Sequence, residues 1–248
     1  MKQIKPISLL FCVALTLFLI SCGGEGTKGE SDADTTNADT AAASSEIAAP
    51  VNTIITTPQG MMTAKHKVAD YAKWKPNYDA HDSMRLANGI HSYVIGRGVQ
   101  DSNMILVAVK VDDVAKAKAF AKDPSLKQAM QKGGVKGTPA FRYATMVFQD
   151  TANVGPVPRS MATFTVKDWA AWEQKFLEGK QARLDNGITV RAYGYDPDDN
   201  KKVVVVTALL DTAKANAYWK SDAFKERVAA SGVIGQPERF VFNVVQRY

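Results

Sequence analysis

Apolar and polar residues alternate along Met62–Lys67 and again along Met161–Val166, which predicts a half-buried strand at each place. An aspartate follows each, Asp70 or Asp168, placed to cap a helix. On the first helix Tyr71, Trp74, Tyr78 and Arg85 fall within about 60° of one another at 100° per residue, forming one aromatic stripe. Trp169, Trp172, Phe176 and Arg183 repeat the stripe. Asn88-Gly89 and Asn186-Gly187 then supply left-handed C-terminal caps. Pro76 predicts a bend in the first helix only. Apolar strands follow at Ile90–Gly96 and Met104–Val111, with Val203–Leu210 as the later counterpart. A helix over Asp113–Ala121 and Ser125–Lys132 is interrupted at Asp123-Pro124, and strands at Phe141–Phe148 and Phe240–Gln246 come last.

These elements recur because the sequence itself recurs. YAKWKPNYDAHDSMRLANGI at Tyr71–Ile90 is matched by WAAWEQKFLEGKQARLDNGI at Trp169–Ile188, 98 positions on. The register runs through Gly96/Gly194, Asp113/Asp211 and Gly134-Val135-x-Gly137-x-Pro139 against Gly232-Val233-x-Gly235-x-Pro237 without a gap. Each copy reads βαββαβ, a ferredoxin-like unit. The predicted fold is α+β, with units at 61–150 and 159–248 packed sheet to sheet into an intramolecular barrel and joined by the Pro/Gly linker Thr151–Pro158.

The start of the chain differs. Lys2 and Lys5 precede the apolar run Ile7–Ile20, which is too short for a membrane span and predicts a signal peptide over 1–21. Leu19-Ile20-Ser21-Cys22 resembles a bacterial lipoprotein signal, with Cys22 the acylated first residue of the mature chain. The expectation is a body anchored to the bilayer through Cys22, in the cell envelope, with Gly23 pointing to the outer membrane. Residues 22–60 hold almost no large apolar side chain and predict a disordered tether reaching roughly 35 Å.

The formal charge of +6 is unevenly spread: from Met61 onward the chain holds 28 basic and 19 acidic residues. A basic body favours anionic partners, but no basic run with interleaved aromatics suggests nucleic acid. Cys12 and Cys22 are the two cysteines, so the body offers no disulfide, thiol nucleophile or thiolate metal site. His66, His81 and His91 match no zinc spacing, and no phosphate-loop, nucleophile-elbow or dinucleotide fingerprint is present. No cofactor is expected.

Residues shared by the copies are what a fold needs, so residues in one copy point better to chemistry. All three histidines are in copy one: His66 stands against Phe164, His81 against Gly179 and His91 against Thr189. His66, central in the first strand, is the candidate base; Tyr71, Trp74, Arg85, Trp172 and Arg183 are the candidate ligand-binding residues.

The pattern D-Y-x-x-W-K-P … R-x-x-x-G-I … G-V-x-G-x-P resembles small bacterial α+β-barrel proteins related to the antibiotic-biosynthesis monooxygenases. Those are single units that dimerise into a barrel, so the resemblance implies a monomer acting as a pseudo-dimer. Their catalytic motif does not map here residue by residue. Tandem units also occur in the haem-binding chlorite dismutase family, whose proximal histidine lies in the second copy, where this chain has none. The leading expectation is a poorly catalytic envelope lipoprotein holding a small apolar or anionic ligand between the sheets. The alternatives are a cofactor-free monooxygenase-like enzyme and a structural interaction module.

Overall fold

The computed structural model describes residues 52–248. The expectations for Ile7–Ile20, Cys22 and the tether as far as residue 51 lie outside the described residues. The order is β1 (Ile54–Ile55), β2 (Gln59–Val68), α1 (Tyr71–Ala80), α2 (Asp82–Ala87), β3 (Ile90–Gly98), β4 (Met104–Val111), α3 (Val114–Phe120), α4 (Pro124–Lys132) and β5 (Val135–Asp150). The second half runs β6 (Arg159–Val166), α5 (Trp169–Glu178), α6 (Lys180–Asp185), β7 (Ile188–Asp196), β8 (Asp199–Leu209), α7 (Thr212–Lys220), α8 (Asp222–Ala230) and β9 (Val233–Arg247). The fold is α+β around a large antiparallel sheet. Among the described residues no helix is long and apolar enough to cross a membrane.

The strands follow the order β1-β5-β2-β4-β3-β9-β6-β8-β7, and β7 pairs back onto β5. Eight of them, β2 to β9, therefore close a ring. The barrel is closed by edge-to-edge ladders, β3 on β9 from Val94↔Arg247 to Gly98↔Phe242 and β5 on β7 from Thr145↔Tyr195 to Gln149↔Ala192. Gly96 and Gly194 stand at these seams. A Cβ on Gly194 would lie 2.1 Å from the Thr145 carbonyl oxygen, and one on Gly96 would lie 2.2 Å from the Phe242 ring. Both distances are far inside van der Waals contact. Gly194→Ala should therefore lower the unfolding free energy by about 2 kcal/mol or more; an unchanged urea midpoint would show that the seam tolerates a side chain.

Asp70, Asp113, Asp168 and Asp211 each accept backbone N–H bonds at a helix start, as their positions predict. Gly89 and Gly187 take φ of 65° and 67°, while Asn88 and Asn186 donate to Met84 and Ala182 carbonyls at 2.9 and 2.8 Å. The long helices are each broken in two, at His81 and at Gly179. Because α5/α6 breaks without a proline, Pro76 is not the cause. The last strands begin six or seven residues before the aromatic onset, at Val135 and Val233. Gly137 and Gly235, with φ of 70° and 72°, bulge them opposite His66 and Phe164, which is what the G-V-x-G-x-P pattern encodes. Folding also starts earlier than residue 61, since β1 pairs with the end of β5.

Strand parity sorts the side chains into layers. On β2, Met62, Ala64 and His66 face the helices, whereas Met61 and Thr63 face the barrel axis. Trp74, Ile90, Val107 and Phe120 build the helix-side core of the first half. Trp172 with Val203 and Val205, and Tyr218 with Ile188 and Leu209, build that of the second. Met61, Ala144 and Met146, and Leu106, Met161 and Phe242, line the barrel interior.

Candidate functional site

The barrel encloses a cavity of about 580 Å³. None of His66, Tyr71, Trp74, Arg85, Trp172 or Arg183 lines it. The expectation that they face a space between the sheets is corrected by strand parity: His66 and the helix-borne residues lie on the outer face of the sheet, under the helices. The cavity's polar end is instead made by Arg159 and Arg191, 4 % and 8 % exposed, with Gln149, Asp150 and the more open Arg247. Arg191 Nη1 donates to Asp150 Oδ2 at 2.6 Å and its Nη2 to the Ala152 carbonyl; Arg159 donates to the Val157 and Gly155 carbonyls. These arginines thus pin the linker across one end of the barrel. Burial, then the Arg247 and Arg191 charges, bring the Arg159 guanidinium down to about 10, so it remains charged at neutral pH. At the other end Glu238 joins Lys65 at 2.6 Å and Arg142 at 2.7 Å, which hold its carboxyl below the ordinary range.

A signal for these arginines was present in the sequence. In the 98-residue register Arg159 stands against Met61, Arg191 against Tyr93 and Arg247 against Gln149. All three are cations of one copy only, the same criterion that singled out the histidines.

The chemistry predicted for copy one does converge, in a smaller pocket. Between β2, β4 and α1–α4 lies a void of about 70 Å³ lined by His66, Trp74, Tyr78 and Arg85. His66 is 4 % exposed and neither ring nitrogen has a hydrogen-bond partner. Burial, opposed only in part by the nearby Ala64 backbone, which is too poorly placed to make a hydrogen bond, pushes its imidazole down to about 4, leaving it neutral at pH 7. Its ring lies 5.6 Å from that of Trp74, which stacks on Tyr78 at 5.1 Å. Arg85 lies 3.8 Å over the Tyr78 ring and donates to the Tyr78 carbonyl at 2.7 Å, Asp82 at 2.9 Å and Ser92 at 3.2 Å. The Tyr78 hydroxyl bonds Ser92 at 2.9 Å, and burial raises its pKa.

The other predicted residues are less central. Tyr71 is half-buried under Arg97, whose guanidinium lies 4.4 Å from the ring centre. His81 Nδ1 lies 2.7 Å from the Asn77 carbonyl, and His91 pairs with Asp112 at 3.0 Å on the surface. Trp172 and Arg183 line a matching void of about 100 Å³ in the second half. No group of three or more His, Cys, Asp or Glu is arranged to hold a metal ion among the described residues.

The barrel and its paired pockets define the class. The fold is that of the dimeric α+β barrels, of ferredoxin-like type. No protein-family model matches the chain, and no curated protein matches it by sequence. Among solved structures it is similar to an anthrone oxidase-like protein, at 15% identity and a TM-score of 0.53, over 79% of this chain and 95% of that one. It is similar also to a provisionally assigned monooxygenase from Fusobacterium nucleatum (10% identity, TM-score 0.51, 77% of this chain and 94% of that one). A provisionally assigned chlorite dismutase gives 13% identity and a TM-score of 0.51, over 77% and 96% of the two chains. These likenesses carry the fold. They also overturn the leading expectation of a poorly catalytic ligand holder in favour of the enzyme-like alternative, since these three structures are named for enzymes.

Proposed function

We propose that this protein is a cofactor-free monooxygenase-like enzyme, with its reaction centre in the pocket beneath α1–α4 and His66 as proton acceptor. The observation that carries the reading is the unpartnered His66 imidazole, aimed into a void shared with Tyr78 and Arg85. An orphaned buried polar group costs about 1–3 kcal/mol of stability, and such costs concentrate where chemistry needs them. The oxidase- and oxygenase-named neighbours support the same class. The two βαββαβ units are taken as tandem copies of one ancestral unit, forming a pseudo-dimer in which copy one keeps the imidazole.

The substrate class is an aromatic compound with an acidic O–H or benzylic C–H. The stacked Trp74 and Tyr78 rings give the void an aromatic wall, and His66 accepts the proton, leaving an electron-rich anion against that wall. That anion reduces dioxygen directly; one oxygen atom enters the substrate and the other leaves as water with two of its hydrogens. The void as it stands has the volume of roughly two waters. A ring therefore needs lining side chains such as Leu126 and Met130 of α4 to move aside.

The test is dioxygen uptake with anthrones and hydroquinones as substrates. His66→Ala should lower kcat/KM by roughly 10²–10⁴-fold. The wild-type profile should be flat from neutral pH downward and fall as pH approaches about 4, where the imidazole becomes charged. A folded His66→Ala protein with unchanged turnover would remove the reading.

A further inference from the structure

We infer that the pocket beneath α5–α8 in the second half is a binding site for a small carboxylate. It is separate from the His66 pocket and does not depend on the reaction assigned there. Three polar groups that line it have no hydrogen-bond partner: Arg183 Nε, the Thr207 hydroxyl and the Tyr218 hydroxyl. Thr207 and Tyr218 are 6 % and 7 % exposed, so solvent does not satisfy them. Its lining includes Arg183, Arg227, Arg239, which donates to the Ser160 hydroxyl at 3.0 Å, and Lys175, which pairs with Glu178 at 2.8 Å; no aspartate or glutamate lines the void itself.

Comparison with the first half shows what has been removed. Arg85 is neutralised by Asp82 and bonded to Ser92. In register, Asp82 becomes Lys180 and Ser92 becomes Val190, so Arg183 keeps the aromatic neighbour, Phe176 at 4.0 Å, and loses both polar partners. His81 becomes Gly179, whose φ of −76° any residue adopts. The glycine supplies room: a Cβ there would lie 3.0 Å from Arg183 Nη1 and 3.3 Å from Arg227 Cδ. The second half has thus cleared a space beside a guanidinium and withdrawn its counter-charge.

Water alone fits this arrangement poorly. The void of about 100 Å³ would hold roughly three waters, which could meet the hydroxyls but leave the half-buried Arg183 guanidinium without a counter-charge. Burial brings Arg183 and Arg239 down to about 10, still charged at neutral pH. An anion answers both needs. The remaining wall is aromatic and aliphatic, with Phe164, Trp172 and Phe176 facing the void, which favours a carboxylate on an apolar body over a fully hydrated phosphate.

The experiment is thermal denaturation and calorimetric titration of the full chain with benzoate, propionate and inorganic phosphate at constant ionic strength in chloride. Benzoate or propionate should give a saturable rise in Tm, roughly 5 °C at about 100 times the dissociation constant. Arg183→Met, Tyr218→Phe and Thr207→Val should each reduce it. The last two are nearly isosteric and, without anion, should leave Tm unchanged or raised, because each deletes an orphaned hydroxyl. His66→Phe, in the other half, should keep the full response. An equal rise in Arg183→Met and Tyr218→Phe would place binding elsewhere. A stronger response to phosphate than to benzoate, or no rise with either carboxylate, would overturn the assignment, the latter leaving a water-filled void.

Discussion

Replacing His66 by Phe, the residue that copy two carries at Phe164, should make the protein more stable in acid by up to about 3 kcal/mol. The folded imidazole has its pKa lowered from 6.5 to about 4 by burial. Between those values the unfolded chain binds a proton that the folded chain refuses, so folding stability falls as pH drops from 6.5 to about 4. Below 4 both states are protonated and the penalty is constant. At about 1.4 kcal/mol per pH unit the full difference is about 3 kcal/mol. The Phe variant lacks this loss. Urea midpoints at pH 4.5 and 7.5 check it: the gap between variant and wild type should widen markedly at the lower pH. Parallel pH curves would mean that the imidazole is not held neutral. The same substitution should abolish dioxygen uptake, so stability and turnover move in opposite directions at one side chain.

Asp150→Ala should be the most damaging polar substitution in the barrel. Asp150 is the carboxylate bonded to Arg191, and its other oxygen accepts from Thr53 and from the Ala152 N–H. Both charged side chains are largely buried, at 9% and 17% exposure. Removing one member of such a pair costs about 3–5 kcal/mol, because the remaining guanidinium is left uncompensated beside Arg159 and Arg247. Denaturant unfolding measures the loss. Asp150→Ala combined with Arg191→Tyr, which restores the residue of copy one at Tyr93, should recover most of it. A loss below about 1 kcal/mol would show that the pair contributes nothing to holding the linker.

Much of the fold was legible in the sequence because its signals are local or repeat. The four aspartate caps, the Asn-Gly helix ends and the aromatic stripes fell where their spacing put them. Edge-to-edge closure was not legible, since it depends on Gly96 and Gly194 lying against strands from the opposite half, and a glycine in a strand does not announce its neighbour. The candidate site was legible in part. Trp74, Arg85 and His66 do share a pocket. Its location was not legible, because alternation along β2 does not by itself say which parity faces the barrel axis. Met61 and Thr63 had that parity, and the run of large apolar residues at even positions fixes the helix side only once the helices are docked. Arg159 and Arg191 carry no burial signal of their own, since arginines are mostly exposed, although the 98-residue register sets them apart as clearly as the histidines.

The two seams join segments far apart in the chain, Val94 with Arg247 and Thr145 with Tyr195. Neither can zip until both halves have formed, and until then each half presents two raw strand edges and an apolar inner face. A half from another molecule offers the same edges. What favours the resident partner is the linker Thr151–Pro158, which keeps the second half at a high effective concentration beside the first. Stiffened there, the chain would exchange halves with its neighbours, and the barrel would become a swapped dimer with the same seams and pockets.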